Sequence, residues 1–469
     1  METKKTYIVY LVILILTALS ATSQAQNLAV HGELKQLVHD AVESSQAVQM
    51  KENEANIAEN NRKKAYQTYL PTLDITGSFT HLNEEIRFPD NLETLLVGTQ
   101  KLLIKEQMGL GFNTPLPPSV PVKEVAPIQE QDIFKATLQA DMVVFSGLKV
   151  PFLAKAAEHQ RNAYHALSNA KKSAVIRQTL QAYQSLALIR ESEKVLDKSQ
   201  TRLNEQKRYV NKAIENGLTT DLAKSRIQLA EQKLEEKNIE LDTKRELVLS
   251  LLQQLTGNNK TQLEQLNPRL EEWSVGRLQL SAKHRPELQA LQEAQRATEF
   301  KKKSVYSNFL PKVKIFGRKE LYEDDLSILD PKWMVGVGLQ WNIFDGLKRS
   351  RDLQNAKIEV LNSRLKKDLV SEKLELNLTK ESLALSKAKQ KMQVAQKQLH
   401  TSKKTYTINR KQYKVGLSSQ KDFLDAESDL QKAELGYSQS LFNHNMAVVN
   451  YLVAGGKLNS LFGINNDRN

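Results

Sequence analysis

The sequence contains no cysteine, and only 12 prolines and 18 glycines in 469 residues. Without cysteine the chain has neither a disulfide framework nor a thiolate metal site, and it offers no N-terminal cysteine for acylation. Hydrophobic residues make up 40% and aromatic residues 6% of the chain, which is low for a large globular core. The dominance of Ala, Leu, Lys, Gln, Glu and Ser is typical of long helices that pack along narrow apolar seams.

Only one long apolar run is present, at residues 7–19, after two lysines and before the small residues Ser23 and Ala25. This order predicts a signal peptide over residues 1–25. The alternative is an N-terminal transmembrane anchor, but the run is shorter than the roughly 20 residues that a spanning helix needs. Since no comparable run follows, the mature chain is not predicted to be a helical inner-membrane protein.

The net charge is +13, from 67 basic and 54 acidic residues. A basic balance alone is compatible with nucleic acid as a partner, but the basic residues alternate with acidic ones and do not form a tract. Together with the export signal, this predicts that the chain does not bind nucleic acid.

The mature chain contains an internal repeat, which decides the predicted architecture. The pentapeptide Phe-Ser-Gly-Leu-Lys at 145–149 recurs as Phe-Asp-Gly-Leu-Lys at 344–348, an offset of 199 residues. The same offset relates two further pairs of glycines, Gly217 with Gly416 and Gly257 with Gly456. Three landmarks in one register indicate a duplication.

The repeat sets the predicted domain boundaries. The first copy holds an additional proline-rich stretch, which we interpret as a long loop over residues 81–131. We predict a signal peptide (1–25), a first repeat (26–256), an inter-repeat linker (257–280), a second repeat (281–456) and a C-terminal tail (457–469).

Each repeat contains two segments in which apolar and polar residues alternate, the pattern of a strand with two different faces. The clearest are 134–144 and 333–343, with weaker partners at 73–79 and 313–317. Such strands suit a membrane β-barrel, which meets lipid on one side and a wet lumen on the other. A small soluble sheet with one buried face is the alternative, but the rest of the chain offers no globular layer to cover it.

Two very long helices are predicted, from 150 to about 216 and from 347 to 415. At 1.5 Å per residue, roughly 65 residues span about 100 Å. After each turn glycine the chain returns as a second helix with the three-four spacing of a coiled-coil seam. Four strands per chain cannot close a barrel, since the smallest membrane barrels have about eight. Geometry therefore predicts a dimer or trimer with eight or twelve strands.

In order and in duplicate, these landmarks resemble the outer-membrane efflux protein family of TolC-like channels, over essentially the whole mature chain. The residues that carry the resemblance are Leu70-Pro71 and Leu310-Pro311 before the first strands, the Phe-x-Gly-Leu after the second strands, Arg285-Pro286-Glu287-Leu288, and Val415-Gly416-Leu417 with Asp422, Leu424, Asp425 and Ala426.

The resemblance implies a mainly α fold with membrane β structure. Four strands of each chain would contribute to a trimeric 12-stranded outer-membrane barrel, and the long helical hairpins would form a periplasmic α-barrel of twelve helices. It also implies that the homotrimer sits in outer-membrane lipid and docks its hairpin tips onto a periplasmic membrane-fusion adaptor. Through that adaptor it would reach an inner-membrane pump of the RND or ABC type.

The sequence contains no recognisable catalytic motif or phosphate-binding glycine loop, so neither an enzyme nor a cofactor or metal site is predicted. Three function classes remain. They are an outer-membrane exit channel for efflux or type I secretion, a periplasmic coiled-coil scaffold, and a secreted enzyme or binding module. The duplication and the paired alternating strands favour the channel.

The hairpin tips hold the candidate working residues. Asp422 and Asp425 lie three apart after the Gly416 turn and hence on one face of the returning helix. They predict either carboxylate rings at a periplasmic aperture, as in cation-selective channels, or a simple complement to the helix amino end. The family resemblance favours the rings. It also places Tyr413 in the network that closes the aperture, with Asp221 as the nearest acidic residue of the first hairpin.

The remaining candidates have predicted structural roles. Gly217 and Gly416 are expected in the tip turns, where a side chain would hinder the backbone. Pro71 and Pro311 are expected to end a helix and begin an extended segment. With Gly147 and Gly346, these two prolines mark the strand-helix junctions.

Overall fold

The computed structural model describes residues 32–274, 280–327 and 330–464; the predicted signal peptide and the end of the predicted tail lie outside them. The chain divides into two compact units. One comprises the residues up to 58, 159–296 and those from 361 onward, and the other comprises 59–158 and 297–360. Of the described helices, none combines the length and the apolar character needed to cross a membrane.

The described residues form helices and four strands, with short 3-10 turns at Ala282–His284 and Ser307–Phe309. In chain order the elements are α1 (Gly32–Glu43), α2 (Gln46–Gln67), β1 (Thr72–His81), α3 (Asp90–Gln107), β2 (Asp132–Phe145), α4 (Lys149–Glu215), α5 (Asp221–Thr256), α6 (Lys260–Glu264), α7 (Pro286–Tyr306), β3 (Lys312–Glu320), β4 (Trp333–Gln340), α8 (Lys348–Lys414), α9 (Gln420–Ala454) and α10 (Leu458–Leu461).

The two long helices predicted from the sequence are present and equal in length. Helices α4 and α8 each contain 67 residues, and the returning helices α5 and α9 contain 36 and 35. Pro151 does not interrupt α4, because it lies in the first turn, where no intrahelical N–H bond is lost. The mainly helical fold class with few strands is confirmed.

All four strands belong to one antiparallel sheet in the order β1-β2-β3-β4. The predicted alternation is correct, and its apolar face is exposed: Trp333, Val335 and Val337 of β4 are 69–70% exposed. No other described part of the chain covers this face, and every residue of β1 is exposed. The sheet therefore has two open edges and an uncovered apolar face.

The connection between β1 and β2 differs from the predicted loop, because it contains the 18-residue helix α3. The prolines that indicated a loop lie on either side of this helix, at Pro89 and from Pro115 onward, and leave the stretch between them free to be helical. Beyond α3 the chain is held to the sheet. Gln129 Nε2 donates to the carbonyl of Asp325 at 3.1 Å, and an Asp325 carboxylate oxygen accepts the Phe134 N–H at 2.7 Å.

The packed core of the first unit joins α1, α4, α5 and α9. Residues predicted as linker and tail contribute to it: Leu263, Trp273 and Phe462 are at most 3% exposed. Asn445 of α9 fixes the linker, since its side-chain oxygen accepts the Trp273 N–H at 2.9 Å. The segment between the repeats is thus part of the core and does not act as a spacer.

Tyr183 of α4 makes the stability of this core sensitive to alkaline pH. Its hydroxyl donates to Glu33 at 3.4 Å, and burial, followed by the charge of Glu33, raises its pKa from 10.0 to about 12. A raised phenol pKa contributes stability that is complete below pH 10 and is lost as the pH rises to about 12. We expect the native protein to lose up to ~2.7 kcal/mol of its free energy of unfolding between pH 10 and about 12, and Tyr183→Phe not to show this loss. Urea unfolding measured across that pH range checks the prediction. Tyr66→Phe, at an exposed position, serves as the control; equal pH slopes for all three proteins would contradict the assignment.

Candidate functional site at the hairpin tips

Both hairpins end in the same turn. Gly217 and Gly416 have φ values of +66° and +79°, in the left-handed region that favours glycine. The glycine and the following leucine N–H groups donate back to carbonyls in the last helical turn, as in a Schellman motif. The bonds are Gly217 to Ile214 and Leu218 to Ala213 in the first hairpin, and Gly416 to Tyr413 and Leu417 to Gln412 in the second. This turn leaves Leu218 and Leu417 each 79% exposed.

Asp422 takes part in a capping box at the start of α9. The Ser419 hydroxyl accepts the Asp422 N–H at 3.1 Å, and an Asp422 carboxylate oxygen accepts the Ser419 N–H at 3.2 Å and its hydroxyl at 2.6 Å. These hydrogen bonds lower the pKa of Asp422. The group is therefore anionic at neutral pH. The capping box is the contact expected if Asp422 complements the amino end of α9, which is one of the two roles predicted from the sequence.

The other two acidic candidates lie at exposed positions near the tips. Asp425 is one turn beyond Asp422 on α9, outside the capping box, and Asp221 is the first residue of α5. A ring of carboxylates requires symmetry-related copies, so the ring role of Asp422 and Asp425 stays a prediction.

Tyr413 lies in an aromatic cluster that joins both hairpins. Its ring stacks on Phe423 of α9 with centroids 5.4 Å apart and meets Tyr209 of α4 edge-on at 5.5 Å. Burial raises the pKa of the Tyr413 hydroxyl. Nearby, the Gln420 side-chain amide of α9 donates to the Ala223 carbonyl of α5 at 2.7 Å. The tips are therefore tied together by ring packing and by hydrogen bonds between the hairpins.

A buried polar group above the tips, which we call the Arg202 cluster, was not predicted from the sequence. It comprises Arg202 and Ser199 of α4 with Glu427, Gln431 and Glu434 of α9. The guanidinium donates to both oxygens of Glu427, at 2.7 and 2.9 Å, and to Glu434 at 3.3 Å. The Ser199 hydroxyl donates to Glu427 at 2.7 Å. Only 4% of the Glu427 side chain and 16% of the Arg202 side chain are exposed.

The sequence carried a weak signal for this cluster. Its α9 members are spaced four and three apart, the helical spacing of the adjacent apolar seam that contains Phe423 and Leu430. A polar row at such spacing normally indicates a solvated face, and only the packing of α9 on α4 shows that this one is buried. Lys237 of α5 also donates to Gln431, so the cluster connects three helices.

The strand-helix junctions have the same geometry in both repeats. Gly147 and Gly346 have φ values of +65° and +69°, and the following leucines, Leu148 and Leu347, are also left-handed. A Cβ on Gly147 would lie 3.0 Å from the Ser307 carbonyl oxygen, so a side chain there has no room. The residue before each glycine caps the long helix: the Ser146 hydroxyl accepts the Val150 N–H, and the Asp345 carboxylate accepts the Arg349 N–H. The capping bonds and the left-handed glycine account for the x-Gly part of the Phe-x-Gly-Leu motif.

Pro71 and Pro311 directly precede β1 and β3. The residue before the second of them, Leu310, is extended, with φ −95° and ψ 152°. Proline disfavours a helical conformation in the preceding residue, so the Leu-Pro pair ends the helical segment and begins the strand.

The outer membrane efflux protein family model matches residues 278–443 of the chain. This range contains β3, β4, α8 and most of α9. No curated protein matches the chain significantly in sequence.

Solved structures resemble 90–95% of the chain. The Campylobacter jejuni CmeC outer membrane channel shares 15% identity over 95% of this chain and 89% of its own, with a TM-score of 0.71. The outer membrane protein VceC from Vibrio cholerae shares 15% identity over 90% and 96%, with a TM-score of 0.69. The open state of the Neisseria gonorrhoeae MtrE outer membrane channel shares 16% identity over 90% and 89%, with a TM-score of 0.67. At these identities the likeness establishes the fold.

The fold is thus that of a class of outer-membrane channels whose chains combine a helical barrel with a β-barrel. The family model adds that residues 278–443, the part of the chain from α7 to most of α9, match the outer membrane efflux protein family. The resemblance predicted from the sequence is confirmed, and the match agrees with a channel and not an enzyme.

Proposed function

We propose that the protein is the outer-membrane exit channel of a tripartite efflux or type I secretion system, a passive conduit that works as a homotrimer. The observation that carries this proposal is a stripe of exposed leucines on α8. Its members within the first unit are Leu361, Leu365, Leu369, Leu376 and Leu383, which are 51–71% exposed.

These leucines repeat at intervals of four and seven residues, so they share one face of α8. Over the 67 residues of α8, only Ala356, Met392 and Tyr406 are buried. An exposed apolar stripe of this length marks an interaction surface, and helical spacing of the leucines suits another helix. Each chain has four long helices, α4, α5, α8 and α9, so three chains supply twelve. If these form a closed ring, a helix of a neighbouring chain covers the leucine stripe of each α8.

The sheet supports the same stoichiometry. Its edge strands β1 and β4 leave their outer N–H and C=O groups unpaired within the chain, and an open edge is not tolerated in lipid. Pairing β4 of one copy with β1 of the next closes a barrel. Three copies of the four-stranded sheet make the predicted 12-stranded barrel, and the exposed tryptophan and valine side chains of β4 would face lipid.

The tips support docking of a periplasmic membrane-fusion adaptor, which would connect the channel to an RND or ABC pump. Leu218 and Leu417 project at both turns. Between the hairpins runs a groove of about 710 Å³, whose lining includes Leu424, Lys233 and Lys432. Acidic residues, among them Glu236 and Asp425, line the same groove. An apolar tip beside a groove with charges of both signs offers a partner both hydrophobic contact and ion pairs.

Asp425 and Asp422 are proposed to form the carboxylate rings of the periplasmic aperture. We expect Asp425→Ala, which leaves the capping box intact, to lower the cation selectivity of the reconstituted channel and its block by multivalent cations, because a ring loses three charges at once. Asp422→Ala should add to this effect while also costing about 0.3–1 kcal/mol of helix stability, because the first turn of α9 loses an acidic side chain. Glu235→Ala, at an exposed position on α5, is the control. Selectivity equal to that of this control would remove the ring role and leave the channel itself intact.

The channel proposal is tested by planar-bilayer conductance of the purified protein, with the oligomer mass measured on the same sample. Discrete conductance steps from a trimer support it. A stable monomer without conductance would overturn it and favour a periplasmic scaffold.

A further inference from the structure

Helix α3 presents an unexplained apolar surface. It lies in the connection between β1 and β2, at the strand ends opposite to those that join the long helices. None of its 18 residues is buried. In the proposed channel this end of the sheet faces outward from the cell.

The apolar residues of α3 form two groups. Val97 and Ile104, seven residues apart, are half-buried and so face the protein itself. Five leucines lie on another face and are 40–64% exposed: Leu92, Leu95, Leu96, Leu102 and Leu103. Their positions correspond to a, d and e of a heptad, the face by which a helix packs into a bundle.

The charge of α3 argues against the membrane surface as the occupant of this leucine face. The helix carries Asp90, Glu93 and Glu106 against only Lys101 and Lys105, so its net charge is −1. Helices that lie on membranes typically combine an apolar face with abundant lysine and arginine, which attract anionic headgroups. Lys105 is in addition engaged by the Phe112 carbonyl, at 3.0 Å.

The topology favours further copies of the chain. Eight residues separate helix α3 from β1, which is an edge strand of the sheet, and in the trimer that edge pairs with a neighbouring chain. Each copy thus carries its α3 close to a subunit boundary, at the same level and in the same orientation. Equivalent helices related by a threefold axis can bury identical heptad faces against one another.

We propose that the leucine faces of α3 from three chains pack together into a helical bundle over the outer opening of the barrel. The bundle narrows that opening against compounds outside the cell. This inference rests on the proposed trimeric channel and adds an outer constriction, made of α3, to the aperture at the hairpin tips.

The absence of cysteine gives a clean test. In the full-length protein, Leu103→Cys thiols of neighbouring chains should form disulfides on mild oxidation with copper phenanthroline, so that most of the protein migrates as a covalent dimer on a non-reducing gel. Lys101→Cys, two residues away and away from the leucine face, is the matched control and should remain monomeric on the gel. Both positions are exposed within one chain, so neither variant threatens folding.

A second readout measures function. Leu96→Lys/Leu103→Lys should separate the bundle by charge repulsion and raise uptake of a large external antibiotic several-fold, whereas Lys101→Glu should not. A trimer in which Leu103→Cys crosslinks no better than Lys101→Cys overturns the bundle. The bundle is also overturned if the fluorescence emission of a bimane label at Leu103→Cys shifts to shorter wavelength only when lipopolysaccharide vesicles are added. In that case lipid, and not a second α3, covers the leucine face. A monomeric protein instead contradicts the channel proposal itself, so the two failures are distinguishable.

Discussion

Replacing Leu365 and Leu376 with aspartate is expected to prevent assembly and leave the protein as monomers without conductance. Both side chains lie on the exposed stripe of α8, at 57% and 71% exposure within one chain. Burying a leucine in an interface stabilises by about 1.5–3 kcal/mol, and the stripe occurs once in every chain of the assembly. Six lost leucines per trimer therefore amount to at most about 9–18 kcal/mol of assembly free energy.

The substituted carboxylates would add a further cost, because each would have to be buried without a partner. Mass measurement of the detergent-purified protein should show trimer for the native sequence and monomer for Leu365→Asp/Leu376→Asp. Lys366→Asp introduces the same group at an exposed α8 position away from the stripe and should remain trimeric. Trimers of normal conductance in the double variant would mean that the stripe is not the contact between chains.

Removing one member of the buried Arg202–Glu427 pair is expected to destabilise the packing of α9 on α4 strongly, while removing both is not. Arg202→Met leaves the buried Glu427 carboxylate without its cation, which typically costs about 3–5 kcal/mol. Glu427→Leu should cost less, because Arg202 keeps its bond to Glu434. The combined variant replaces the pair with apolar groups, a change that is often near neutral. Glu434 also loses its partner, but at 18% exposure it retains access to water.

The urea midpoints of the two single variants and of the double variant form a double-mutant cycle that isolates the pair. The ion pair between Arg410 of α8 and Glu205 of α4, at 2.8 Å with both side chains more than 40% exposed, is the matched control. Arg410→Met should cost about 0–1 kcal/mol. If Arg202→Met and Arg410→Met destabilise equally, the cluster does not couple the hairpins.

Much of the architecture could be predicted from the sequence because it depends on local signals. Glycine and proline are absent from the interiors of α4 and α8 except at Pro151, and the glycines at 217 and 416 adopt the left-handed turns expected of them. The period of two in β2 and β4 identified strands in the right places. In a chain made of long helices, sequence neighbours determine most of the structure, so such signals suffice.

The features that were not predicted from the sequence have one physical origin in common, since each depends on tertiary packing. Helix α3 was concealed by the prolines around it, and the linker around Trp273 contains no periodic pattern although it is buried. The Arg202 cluster consists of charged residues, which sequence patterns assign to solvent. Burial of a polar row depends on which helix lies opposite, and that information is distributed over residues more than 200 positions apart.

The equal length of α4 and α8 has a consequence for how the sequence can change. Adding one residue to either helix would rotate everything beyond it by about 100° and advance its tip by 1.5 Å relative to the other hairpin. The Gln420–Ala223 bond and the Tyr413 stack could not then form in register. Insertions and deletions should therefore be excluded from both long helices unless they are compensated in the returning helix and in the other repeat. The segments on either side of α3 in the β1–β2 connection bear no such restriction and can change in length.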